Sequence, residues 1–498
     1  MGLNKLDLWI VAIYMAGVTL FGLRFRSSKG TMRGYFLADN QIPWWAISLS
    51  IVAAETSTLT VISVPGLAYD GNFTFLQLIF GYLIGRVLVS FVFIPQYLRG
   101  NLVTAYQLME KRFGEDLRTL TAGIFLITRA AAEGVRVFAV AIVVRIALGG
   151  VLTGLNDFQR DVAAIGVVTV LTLIYTFKGG LRAAIWTDVL QQTVYVAGTL
   201  VGLATILHLV PGGWTTVHTV AATAGKFRIL DFSFNLTTKY TFWSGLIGGA
   251  FLTMASHGTD QLIVQRLLSA RTERESKAAL LMSGVAILFQ FSLFLLIGTM
   301  LFVYYQVYPP ASAFSRSDTV FPVFVVNKMP HGVSGLLIAA ILAAAMSNLS
   351  AALNSLSSTS MVDFYVRIWP QSTERRRMQL SRGAMILWAA VLFFLALLAR
   401  HGGRVIEVGL SIASVAYGAL LGVFLLGVLT RSASERGAIA GMVCGLALNL
   451  YLWLFARVAF TWYVVLGSAV TFAVGYFASR QLWQAPQAVL LRDGNETE

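Results

Sequence analysis

Residues 53–60 read AAETSTLT, which places one carboxylate, Glu55, and the hydroxyls of Thr56, Ser57, Thr58 and Thr60 inside an apolar run from Trp44 to Leu67. A charge at bilayer depth costs about 2.5–3.5 kcal/mol on insertion scales, so it is retained where it pairs, faces an interior or handles a solute. A second string, ILAAAMSNLSAALNSLSS, occupies residues 341–358. On a helix Ala344, Ser347, Asn348, Ala351 and Ser355 share one face, with Ser350 and Asn354 close beside it. Small residues at these steps let another helix approach closely. Hydroxyl and amide oxygens on that face, met by carbonyls freed from a broken helix, form an oxygen cage for a hard cation such as Na+. The competing reading is close packing, with each hydroxyl bonded to its own backbone.

A third string, TRAAAEGVRVF, sets Arg129, Glu133 and Arg136 at i, i+4 and i+7 on one helical face. Opposite charges at i, i+4 neutralise one another, and a bidentate guanidinium suits a substrate carboxylate. A structural salt-bridge network that takes in Glu55 is the alternative. Glu55 is therefore either a substrate contact or the partner of Arg129 or Arg136. His257, near the end of GLIGGAFLTMASHGTDQ, is either a structural histidine at a helix end or a further substrate contact.

The elements that must hold these residues are membrane spans. The chain has 498 residues, 57% of them hydrophobic and 12% charged, with a mean hydropathy of +0.73. A soluble domain carries about twice that charge density, and apolar runs of span length recur along the whole chain. Thirteen spans are expected, at 6–23, 43–69, 75–97, 119–148, 162–177, 184–209, 241–258, 279–305, 334–362, 383–399, 406–429, 437–455 and 460–479. The net charge of +14 comes from Lys and Arg in short loops, such as Arg24/Arg26/Lys29/Arg33, Arg266/Arg271/Arg274/Lys277 and Arg375/Arg376/Arg377/Arg382. That distribution fits a lipid bilayer with the basic loops inside, the N-terminus outside and the C-terminus in the cytoplasm. It does not fit nucleic acid. The first run lacks a small-residue cleavage site and reads as a retained helix. The single cysteine, Cys444, excludes an internal disulfide. Spans two and seven, five apart, are both interrupted by polar or glycine-rich residues, and paired broken helices mark the midplane site of a transporter.

Four stretches carry a family resemblance: SIVAAETSTLTVISVPGLAY, YTFKGGLRAAIWTDVLQQ, DQLIVQRLLSA and IAAILAAAMSNLSAALNSLSSTSMVDFY. In order and spacing they resemble the solute:sodium symporter family, which includes bacterial proline and sialic acid symporters and sodium/galactose transporters. The resemblance implies an all-α polytopic membrane protein of thirteen transmembrane helices. It implies a five-plus-five inverted-repeat core like that of the bacterial leucine transporter, preceded by one extra helix. One transporter domain would fill 1–480, with repeats at about 43–209 and 241–429, extra helices at 6–23, 437–455 and 460–479, and a short cytoplasmic tail at 481–498. Na+-coupled uptake of a small polar solute by alternating access, in a plasma membrane and with a monomer as the working unit, is the implied activity.

The same resemblance maps a main Na+ site onto Ala53, Thr56, Ala344, Ser347 and Asn348. Asn348 departs from the usual hydroxyl, although its side chain still offers an oxygen. A second Na+ site maps onto Asp188, Ser347 and Ser350, with Ala351 in place of a serine, so one ligand is missing. The alternative for Asp188 is a carboxylate bonded to nearby backbone or to an arginine. Arg136 matches the arginine that clamps the substrate carboxylate in sialic acid symporters, and Ser57, Thr58, Thr60 and Phe75 match other pocket positions. Ile79 and Glu55 depart from that pocket, which argues for a different polyhydroxylated or zwitterionic metabolite. Asp260, Gln261, Gln265 and Arg266 match a marker at the inner end of core helix six, placed to hold an inner gate.

Rival classes have weaker support. The signatures H-E-x-x-H and G-x-S-x-G are absent and the five histidines are scattered, which argues against an enzyme. A channel would need pore-lining repeats, and a binding-only sensor remains compatible with the short tail. Glu55 also opens a proton-coupled alternative of the same fold.

Overall fold

The computed structural model describes residues 2–24, 41–99, 105–150, 152, 154–175, 181–310 and 312–481. The basic residues Arg26, Lys29 and Arg33 and the tail from residue 482 lie outside the described residues. The described chain is helical, without a strand beyond one isolated bridge between Ile42 and Ala270.

In chain order the principal helices are α1 (Lys5–Arg24), α2 (Trp44–Glu55), α3 (Thr58–Asp70), α4 (Leu76–Val92), α5 (Glu115–Ala147), α6 (Asp157–Tyr175), α7 (Leu181–Leu209) and α8 (Gly249–Gly258). They continue with α9 (Gln261–Leu268), α10 (Glu273–Val307), α11 (Val333–Thr359), α12 (Glu374–Ala399), α13 (Val405–Leu429), α14 (Glu435–Phe455) and α15 (Tyr463–Gln481). Among the described residues eight helices are long and apolar enough to cross a membrane, and the pair α2–α3, bent by 65° at its break, makes a ninth if it is counted as one span. The expected thirteen are therefore not all recovered on length and hydropathy; α5, for one, carries Arg129, Glu133, Arg136 and Arg145 along its length. The short helices Gly213–Thr223 and Val320–Lys328 lie in the connections between the long ones.

Helix starts follow the local sequence. The side chains of Thr272, Thr373 and Ser434 accept from the amides of Glu275, Arg376 and Gly437, so α10, α12 and α14 each begin on a hydroxyl cap. Close packing uses glycine where two backbones meet. A Cβ on Gly298 of α10 would collide with the Pro65 carbonyl of α3, and one on Gly81 of α4 would meet the Gly245 carbonyl ahead of α8. The broken pair α2–α3 packs on α10 and reaches α5, α7, α11 and α13, which encloses the break within the bundle.

Candidate functional site

The break in span two has a local cause. Thr56 takes φ −83° and ψ 69°, and Ser57 is extended, so the helical ladder cannot pass through them. The Ser57 amide donates to Glu55 O (3.0 Å) and the Thr60 amide to Ser57 O (2.9 Å). Among the described residues no backbone amide across the break bonds the carbonyls of Ala53, Ala54 or Thr56. Free carbonyls at a helix end carry partial negative charge and suit a cation. Span seven is interrupted as well. A π turn at Ser244–Gly248 leads into its helix α8, which is capped at Thr259, and Asp260 then starts α9 by accepting from the Leu262 amide (2.9 Å).

Both breaks face one cavity of about 170 Å³. Glu55, Ser57 and Thr60 line it from the first break, Thr259 and Asp260 from the second, and Arg129 and Arg136 from α5. Phe75 forms a further part of the wall, stacked on Phe291 at 5.7 Å. A smaller cavity beside it, about 20 Å³, brings Ser57 and Thr58 together with Glu133, Arg136 and Asn348. Thr58 Oγ1 also donates to Ile341 O of α11 (3.5 Å). Ala53, Thr56 and Ala344 are buried, while Ser347 and Asn348 are half-buried on the stretch of α11 nearest the break.

The α5 charges form one network. Glu133 Oε1 lies 2.9 Å from Arg129 Nη2 and 2.8 Å from Arg136 Nη1, and Arg129 Nη1 lies 3.7 Å from Asp260 Oδ2. Glu133 is buried, whereas the Arg136 side chain keeps 35% exposure. The Arg129 Nε, also buried, has no hydrogen-bond partner among the described residues. The arrangement leaves a guanidinium facing open space while Glu133 holds it in place.

Glu55 does not join that network. Its Oε2 accepts from Arg86 Nη2 of α4, and its Oε1 lies 3.2 Å from His257 Nε2. Of the two alternatives for Glu55, the pairing with Arg129 or Arg136 is not adopted: both arginines are engaged by Glu133 within α5, and Arg86 projects from the facing helix. His257 is buried behind Glu55, with Ser256 Oγ 2.9 Å from its Nδ1, and does not line the cavity. Asp188 Oδ2 accepts from Ser50 Oγ (2.6 Å) and Arg266 Nη2 (3.0 Å). That is the arginine-bonded alternative, and no hydrogen bond joins Asp188 to Ser350 among the described residues.

Three residues at the site were not singled out for it by sequence. Arg86 is wholly buried, and its signal was a lone cation at depth in FGYLIGRVLVS. Asp260, read as part of an inner gate, stands on the cavity wall, where its Oδ2 accepts from Tyr417 OH (3.1 Å). Gln290 of α10 accepts from Thr56 Oγ1 (3.1 Å) and from Gln192 Nε2 (2.9 Å), which braces the break against α7 and α10.

The Sodium:solute symporter family matches residues 35–445. The chain is 28% identical over 496 residues to the sodium/sialic acid symporter SiaT of Proteus mirabilis (strain HI4320), covering 97% of this chain and 96% of that protein. It is also 28% identical over 454 residues to the human sodium/iodide cotransporter, covering 90% of this chain and 69% of that one. In structure it is similar to a Na+-coupled sialic acid symporter solved in a substrate-bound outward-open state, with a TM-score of 0.82 at 26% identity, over 97% of this chain and 100% of that one. The chain therefore belongs to the sodium:solute symporter family, a family of transporters: it is a multi-pass membrane transporter and a sodium-coupled solute symporter.

Proposed function

We propose that the chain couples Na+ to the entry of a small polar organic solute, a sugar, sugar acid or amino-acid-like molecule, by alternating access. The observation that carries this reading is that both helix breaks face one cavity that also holds the α5 arginines. Main Na+ ligands would be the carbonyls of Ala53, Thr56 and Ala344 with the side-chain oxygens of Ser347 and Asn348; the unclaimed carbonyls of Ala53 and Thr56 fit that role. Substrate would meet Ser57, Thr58, Thr60, Phe75 and Arg136 directly, while Glu133 orients Arg136. We count Arg129 as a second cationic contact and His257 as acting through Glu55.

Alternating access is supported by polar contacts at both ends of the bent pair. On α3, Ser63 donates to Asp318 (2.5 Å) and Asp70 pairs with Arg404 (2.7 Å). On α2, Ser50 bonds Asp188 and receives Arg266 Nε (2.8 Å). Each half of the broken helix can therefore be held or released separately, which is what a rocking cycle around a fixed site requires. A second Na+ at Asp188 is not part of this proposal, since Arg266 already supplies its counter-charge. Nor is proton coupling through Glu55, whose carboxylate is paired with a guanidinium. The thirteen-span, five-plus-five arrangement, the outside N-terminus with a cytoplasmic C-terminus, and a monomeric working unit complete the proposal. The basic loops and the likeness in fold to a symporter support it.

Ser347→Ala removes one proposed ligand oxygen. The Na+ concentration for half-maximal uptake should rise about tenfold, the equivalent of about 1.4 kcal/mol. An unchanged Na+ activation curve in that variant would remove Ser347 from the site.

A further inference from the structure

Glu55 is held by two groups that do not line the cavity, yet its own carboxylate does. Arg86 is wholly buried, and each of its three nitrogens has a partner: Nη2 on Glu55, Nε on Ser283 Oγ (3.1 Å) and Nη1 on Tyr82 O (3.4 Å). Such a guanidinium, wholly buried and outside the cavity wall, presents no donor to a solute. Its effect is to neutralise and aim the carboxylate in front of it. His257 Nε2, 3.2 Å from the other oxygen, sits on the same hidden side. The Glu55 side chain retains 16% exposure, and the cavity wall around it includes Ser57, Thr60, Tyr82 and Ser256.

An ionised carboxylate has about four acceptor positions and no donor. With Arg86 and His257 on the far side, the positions facing the cavity are open. A hydrogen-bond donor or a cationic group satisfies them, whereas an oxygen anion is repelled. The same cavity holds Arg136, whose partly exposed guanidinium calls for the opposite chemistry. Counting the charged groups of the site, Arg86, Arg129 and Arg136 balance Glu55, Glu133 and Asp260, so the site favours a solute with both an acceptor end and a donor end. A cavity of roughly 150 Å³ holds a benzene-sized ligand, and this one measures about 170 Å³.

We infer that the transported solute is a small carboxylate that also carries a hydrogen-bond donor, a hydroxyl or an ammonium group, read by Glu55. Arg86 and His257 are positioning residues for that contact. The inference rests on the proposed Na+-coupled reading of the cavity and adds the solute's chemical class.

The test uses three probes of one carbon skeleton: propionate, lactate and alanine, which carry a hydrogen, a hydroxyl and an ammonium at the same carbon. Each is titrated against the purified full-length protein, in Na+ and in choline, with the thermal midpoint as readout of binding. In Na+, lactate or alanine should bind at least about tenfold more tightly than propionate, because a site built around a donor rejects the analogue that lacks one. Whichever of the two binds better tells hydroxyl from ammonium. The same titration on Glu55→Gln should shrink the preference over propionate, a selectivity readout that a merely structural role would not move. Equal binding of propionate overturns the inference, as does stabilisation by Na+ alone with no response to any of the three acids. Absence of any response to Na+ itself overturns instead the Na+-coupled reading beneath it.

Discussion

Arg86→Met will lower the stability of the purified transporter by about 3–5 kcal/mol, the usual cost of leaving one member of a buried ion pair without its partner. Arg86 is wholly buried on α4, and its Nη2 donates to Glu55. Without it, a carboxylate at the end of α2 would sit beside free carbonyls that already carry partial negative charge. The double variant Glu55→Gln/Arg86→Met should recover most of the loss, since replacing both members of a buried pair is often close to neutral. Thermal midpoints of the three proteins in detergent check this. A single variant that melts with the parent would mean that Glu55 draws its compensation from His257 alone.

Arg136→Ala should leave the fold intact and weaken solute binding by about 10- to 150-fold, the equivalent of losing a charge-assisted hydrogen bond worth about 1.5–3 kcal/mol. The fold survives because Glu133 keeps Arg129 at 2.9 Å, so no buried charge is orphaned. Arg136→Lys is not expected to restore affinity, because an ammonium lacks the planar fork that grips a carboxylate at two points. Half-saturation constants for Na+-dependent uptake into proteoliposomes measure the effect. A constant unchanged in Arg136→Ala would make the α5 network a structural feature only.

These two arginines also mark how far the sequence could be read. The row Arg129–Glu133–Arg136 was legible because helical spacing fixes which residues of one helix are neighbours. The break after Glu55 was legible because a carboxylate and a run of hydroxyls interrupt an apolar span. The interruption of span seven was flagged by its glycines and polar end, and the structure puts it at Thr259–Asp260. The partner of Glu55 was not legible. It comes from another helix, and spacing along one helix says nothing about which side chains meet across a bundle. Arg86 nevertheless met the same criterion as Glu55, a single charge deep in an apolar span, and two such isolated charges of opposite sign are each other's natural partner. Asp260 was assigned to a gate because it begins the DQLIVQR string, whereas its position at the second break also turns it toward the cavity. Gln290 gave no warning, since one amide in a long apolar helix is common and only its contact with Thr56 gives it a role at the break.

The most direct measurement is counterflow in proteoliposomes loaded with unlabelled solute and placed in labelled solute, with Na+ or K+ as the only alkali cation. Na+-coupled alternating access predicts accumulation of label that requires Na+ and rises with solute on the trans side. Label that equilibrates equally well in K+ without trans-stimulation, or binds without entering, contradicts it.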